Sequence, residues 1–108
     1  MKIKTSEQLK TLGGVPMYSM DEKTKERIYI TFKTSVVDAL LRPSRESVSG
    51  MERMKMWELA KKIYASEDEV ELSLDEVKTI RSAVEKAYDA PLILGQIFDL
   101  LENAAKGG

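Results

Sequence analysis

VELSLDEVKTIRSAVEKAYDAPLILGQIFDLLE, residues 70–102, is the stretch whose reading decides the fold. Ser73 followed three residues on by Glu76 has the spacing of a capping box, in which each side chain accepts a hydrogen bond from a backbone N–H that the first helical turn leaves unpaired. The spacing predicts a helix starting at Leu74. Leu74, Val77, Ile80, Val84 and Ala87 or Tyr88 then recur at three- and four-residue steps, which places them on one face, with Lys78, Arg81, Ser82 and Glu85 largely opposite. Pro91 lacks an N–H and biases Ala90 away from helical angles, so this helix is expected to end near Tyr88 or Asp89 and Pro91 to open the next. That second helix, running to about Ala105, carries Leu92, Ile93, Leu94, Ile97, Phe98, Leu100, Leu101 and Ala104 over more than half its circumference. Such a spread marks the most buried helix or an oligomer seam. Gly95 inside it costs about 1 kcal/mol relative to alanine and is expected where another helix backbone comes close.

At 108 residues the chain is read as a single domain, 1–108, able to bury roughly two-thirds of the surface its unfolded form exposes. No run approaches the ~18 to 20 apolar residues of a membrane span, and the first residues lead into polar sequence instead of a signal-peptide core. A soluble, cytoplasmic protein with no membrane association is expected. Cysteine is absent, which excludes disulfides, thiolate metal sites and cysteine nucleophiles. Histidine is absent too, so Ser-His-Asp, Cys-His and His-containing zinc constellations are impossible. The net charge of −1 hides an asymmetry: residues 1–65 carry 13 Lys and Arg against 8 Asp and Glu, a net +5, whereas residues 66–108 carry 4 against 10, a net −6. Complementarity between the two halves is one explanation; a basic surface for a polyanion or acidic partner is the other.

Along the chain, Met1 to Lys4 reads as a short strand or a mobile terminus, and Ser6 as the cap of about one helical turn that Gly13 and Gly14 end. Val15 and Met17, then Ile28, Ile30 and Phe32, alternate with Tyr18, Tyr29 and Thr31, the pattern of half-buried strands, around the charged connection 20–27. Residues 1–33 are therefore a β-hairpin region with a solvated tip. Thr34 or Ser35 is expected to cap a short helix whose Val36, Val37, Leu40 and Leu41 fall on one side and which Pro43 closes. RPSRESVSG, residues 42–50, reads as a connecting loop and as the best place on the chain for an oxyanion contact or a regulatory phosphate. Glu67, Asp68, Glu69 and Glu71 crowd together but lack the ligand spacing and glycine of a calcium loop, so neither a metal nor another cofactor is expected.

The helix opened by Ser49, MERMKMWELAKKIYAS, carries more apolar surface than one contact face needs. Met56, Leu59, Ala60 and Ile63 form one stripe; Trp57 and Tyr64, seven apart, form an adjoining line that Met51 and Met54 extend. Either more of the chain covers the second line or a partner does, since methionine adapts to irregular surfaces and tryptophan concentrates at interface centres. Residues 34–65 thus hold a short helix, a loop and a Met/Trp-rich helix, and 73–105 a helical hairpin. The whole is expected to be α+β and mostly α, with the N-terminal β-hairpin packed on a bundle of three to four helices.

From Gly50 onward, across MKMWELAKKIY, VELSLDEVKTIRSAVEKAY and APLILGQIFDLLE, the chain resembles a group of small uncharacterised accessory proteins of tailed phages and prophages. In these the same order recurs: a strand running into a short helix, a basic-aromatic helix, a capping box, and a terminal helix opening with Pro-Leu and closing its first turn with Gly-Gln. The resemblance implies a context, an intracellular and phage-encoded protein acting in the host cytoplasm. It carries no activity, cofactor or catalytic residue.

The functional expectation is non-enzymatic binding of a protein partner or self-association, through Met51, Met54, Trp57, Lys61 and Tyr64. A nucleic-acid role through the basic 42–62 region is the alternative, with Arg42, Arg45 and Arg53 as polyanion contacts. A structural or assembly role, or an enzyme, comes after these. The helix pair around Pro91 is a poor helix-turn-helix, because its second member has no basic residue before Lys106. Ser73 and Glu76 are explained by their cap, and no other spacing forces two catalytic groups together.

Overall fold

A computed structural model of the chain describes residues 1–42 and 49–107, with side chains through residue 104. In chain order it holds β1 (Lys2–Lys4), β2 (Tyr18–Met20), β3 (Arg27–Tyr29), α1 (Phe32–Leu41), α2 (Gly50–Ala65), β4 (Glu69–Glu71), α3 (Leu74–Ala87) and α4 (Pro91–Gly107). The architecture is α+β and mostly α. α1 packs against both α2 and α3, while α4 lies against α3 and β1. Phe32, Ser35, Val36, Ala39 and Leu40 of α1 are buried, so α1 is the central helix, whereas the sequence offered α4 as the most buried helix or an oligomer seam. In α4 Ile97 and Leu101 are fully buried, and Ile93, Leu94, Phe98 and Leu100 pack half-buried against the same core.

The reason α1 can be central lies in where it starts. Thr31, not Thr34 or Ser35, is the N-cap: its hydroxyl accepts from the Thr34 N–H at 3.2 Å, and the Thr34 hydroxyl accepts from the Thr31 N–H at 2.9 Å. A threonine therefore takes the place usually held by Glu or Gln in a capping box. The helix consequently begins at Phe32, and this ring, expected on a strand, is fully buried. α1 ends at Leu41, and Arg42, the residue before Pro43, is extended as proline's neighbour should be.

The two small sheets differ in what their pairing achieves. β1 runs antiparallel to β4 with Ile3 opposite Val70, both buried, while Lys2 stands opposite Glu71 and Lys4 opposite Glu69 on the outside. Part of the charge asymmetry is thus answered within the chain, since opposite charges facing across strands are favourable. β2 and β3 form the expected hairpin, Tyr18 opposite Tyr29 and Met20 opposite Arg27. Its strands are exposed instead of half-buried; Met17 and Ile30 at its base are the residues that turn partly inward. The tip is held by Asp21, whose carboxylate accepts from the Lys23 N–H at 2.8 Å.

Residues 5–9 are not the helical turn that Ser6 suggested. After a turn at Thr5 and Ser6 the backbone bridges to the chain leading into α1: Leu9 N–H donates to Ile30 O at 2.8 Å, and Glu7 and Thr5 carbonyls accept from Phe32 and Lys33. Ser6 instead donates to Asp68 Oδ1 at 2.9 Å. In α3 the capping box is present as expected, Glu76 N–H to Ser73 Oγ at 3.2 Å and Ser73 N–H to Glu76 Oε1 at 2.8 Å. Val77, Ile80, Ala83 and Val84 are buried, but Leu74, the first residue of α3, is exposed. Beside Gly95, apart from its own helical turn, no atom of the described residues lies within 4 Å of where a Cβ would stand, so none of their backbones approaches it.

Candidate functional site

α2 is capped at its start, tied to the rest of the fold at its end and packed along one side, which leaves its other side as a presented surface. Ser49 Oγ accepts from the Glu52 N–H at 3.2 Å, capping the start. At the other end Ser66 donates to Ile63 O at 2.6 Å and shares a 2.9 Å hydrogen bond with the buried Thr5 hydroxyl. The Lys33 ammonium donates to Ser66 O, placing a cation at the negative end of the helix. Lys62 donates to Glu76 at 3.0 Å and ties the last turn to the α3 cap. Leu59, Ala60 and Ile63 are buried and Met56 is half-buried against the core.

The remaining apolar residues of α2 face out. Met51 is 77% exposed, Met54 56%, Trp57 48% and Tyr64 72%. Met54, Trp57, Lys61 and Tyr64 follow at steps of three, four and three, the alternation of a coiled-coil seam, with Met51 one turn before Met54 at its edge. Lys61 Nζ lies 5.4 Å from the Trp57 ring centroid and 3.2 Å from Glu58 Oε1, so the cation is held over the indole. Isolated exposed apolar residues are ordinary on protein surfaces; three along one seam of a helix, with a fourth at its edge, are not.

The residues expected to contact a polyanion fare differently. Arg42 Nε donates to Asp38 Oδ2 at 2.9 Å, its Nη1 to Ala87 O at 2.8 Å, and the guanidinium stacks 5.0 Å over the Tyr88 ring. Its fork is occupied in joining the ends of α1 and α3. Tyr88 belongs to the same latch, donating to Ser35 O at 2.7 Å and lying 3.1 Å from Asp38. Burial, then the Asp38 charge and hydrogen bond, push the Tyr88 hydroxyl up to about 12 against the opposing pull of Arg42. Arg53 is exposed on α2, and Arg45, with the rest of 43–48, lies outside the described residues.

Partial burial by itself would raise the Glu76 carboxyl. The Ser73 backbone N–H, the hydrogen bond and charge of Lys62 and the Ser73 hydroxyl outweigh it and hold the group below its ordinary value. Both displaced groups are accounted for by structural contacts. An open groove of about 580 Å³ runs between β1 and α4, lined by Lys2, Lys4, Glu7, Leu100 and Asn103 among others, and neither Glu76 nor Tyr88 reaches it. Among the described residues no group of three or more carboxylates is placed to hold a metal, and no helix is long and apolar enough to cross a membrane.

One surface was missed from the sequence. The Tyr18 and Tyr29 rings meet edge to face at 6.2 Å, and Arg27 lies 4.8 Å over Tyr18. All three residues are exposed on one face of the hairpin. The alternation was legible; the register that sets Tyr18 against Tyr29 was not. Comparison of the chain with protein-family models, curated proteins and solved structures found no match.

Proposed function

We propose that this chain is a small accessory protein that works by binding protein through the outer face of α2, without catalysis of its own. The observation that carries the reading is the exposed seam of Met54, Trp57 and Tyr64 on a helix whose ends and opposite side are already engaged. Interface centres favour tryptophan and tyrosine in this setting, and methionine beside them lets the surface adapt. A cytoplasmic, phage-encoded setting is supported by the resemblance of residues 50–102 to tailed-phage accessory proteins. The test compares wild type with Trp57→Ala for capture of binding partners from host extract and for thermal stability. Lost capture with an unchanged melt is the expected outcome; capture that survives the substitution overturns the reading.

Nucleic acid is the second reading. What supports it is the Tyr18, Tyr29 and Arg27 platform more than residues 42–62, because Arg42 is engaged inside the fold. Titration with single-stranded DNA at two salt concentrations tests it, with weak and salt-sensitive binding expected.

A further inference from the structure

The order of residues along the α2 seam is informative about what covers it. Steps of three, four and three read the same in both directions, so an antiparallel copy of the helix offers an equivalent seam. With a two-fold axis midway between Trp57 and Lys61, Trp57 of each copy faces Lys61 of the other, and Met54 faces Tyr64. Resting on the protein-binding reading above, we propose that α2 pairs antiparallel with α2 of a second copy of this chain.

The chemistry of each layer fits this occupant. Lys61 already sits on one side of its own Trp57 ring, and the second copy supplies another indole face to the same cation. Methionine sulfur against a tyrosine ring is a favourable contact of the same kind at each end of the seam. No like charges stand directly opposite each other: Glu58 falls opposite Ala60, and the exposed Glu67 just beyond α2 is brought toward the positive N-terminal end of the other helix. Parallel pairing, by contrast, stacks Lys61 on Lys61. A polar residue at one seam position is a known device for fixing register, and Lys61 is placed to do so here. The pairing is isologous, so it closes on itself as a dimer. α2 has 16 residues, about 24 Å of helix, which makes a small interface and a concentration-dependent dimer.

The chain has no cysteine, so single introduced thiols report contacts without background. Sedimentation equilibrium of the full chain up to millimolar concentration should show a reversible monomer–dimer equilibrium, weakened about thirtyfold or more by Trp57→Ala. Under mild oxidation a mixture of Met54→Cys and Tyr64→Cys chains should form the mixed disulfide dimer, while each variant alone stays largely uncrosslinked. Both positions are exposed, and circular dichroism confirms that the variants fold. Efficient crosslinking of Met54→Cys to itself means a parallel arrangement and overturns the proposal. A monomer at every concentration also overturns it, yet leaves partner capture by wild type and its loss in Trp57→Ala intact. Failure of both measurements removes the α2 surface altogether.

Discussion

α1 and α2 are neighbours in sequence and in space, and they use their apolar residues differently. α1 has ten residues and buries Phe32, Ser35, Val36, Ala39 and Leu40; α2 has sixteen and buries only Leu59, Ala60 and Ile63. Both begin with a side-chain cap, so helix initiation does not distinguish them. The difference is company. α1 has α2 and α3 against it, whereas α2 meets the core with one stripe and turns Met51, Met54, Trp57 and Tyr64 to solvent. A large apolar residue on α1 acts on folding; on the reading proposed above, the same kind of residue on the outside of α2 acts on association.

Substitution breaks or sharpens that contrast. Phe32→Ala should cost about 3 to 5 kcal/mol of folding stability, a large share of what a domain this size possesses. Denaturant melts measure it, and a loss no greater than that of Trp57→Ala would erase the distinction between the helices. Trp57→Ala should weaken association by about 2 kcal/mol or more, the scale of an interface hot spot, while leaving the melt within about 1 kcal/mol of wild type. Sedimentation and a melt on the same sample read both.

The latch between α1 and α3 gives a smaller, pH-dependent effect. Tyr88→Phe removes the hydroxyl from Ser35 O and Asp38 and should cost about 1 kcal/mol at neutral pH. Its folded pKa of about 12 lies above the ordinary 10.0, so its contribution is complete below pH 10 and is lost as pH rises through 12. Alkaline melts of the Tyr88→Phe variant should therefore fall less steeply across that window. Ser73→Ala should cost about 1 kcal/mol through loss of the α3 cap. Glu76 is held below its ordinary 4.5, so its contribution is present above that pH and fades as acid protonates the folded carboxyl. Glu76→Gln should reduce this acid sensitivity, which a pH series of melts would show.

What could be read in advance was local. The Ser73 and Glu76 box, the Ser49 cap and Pro91 as first residue of α4 each involve neighbours within a turn, and all three stand as expected. The start of α1 slipped because Thr34 is an unusual partner in a capping box and because Phe32 continued a strand-like alternation. Met1 to Lys4 could be read as a short strand, but its pairing with β4 joins residues about 67 positions apart, which nothing local marks. The excess of apolar residues on α2 was visible in its composition. Their exposure was not, since burial depends on which other elements arrive, and none among the described residues covers them.

Trp57 is the single tryptophan in the chain, so its fluorescence reports on this one face. Emission and acrylamide quenching, measured on the dilute monomer, bear most directly on whether α2 keeps an apolar surface outside the core. A solvent-exposed emission maximum and ready quenching are predicted, with both shifting toward the shielded state as association proceeds. A blue-shifted, quencher-resistant Trp57 in the dilute monomer would place it in the chain's own core and contradict the central claim.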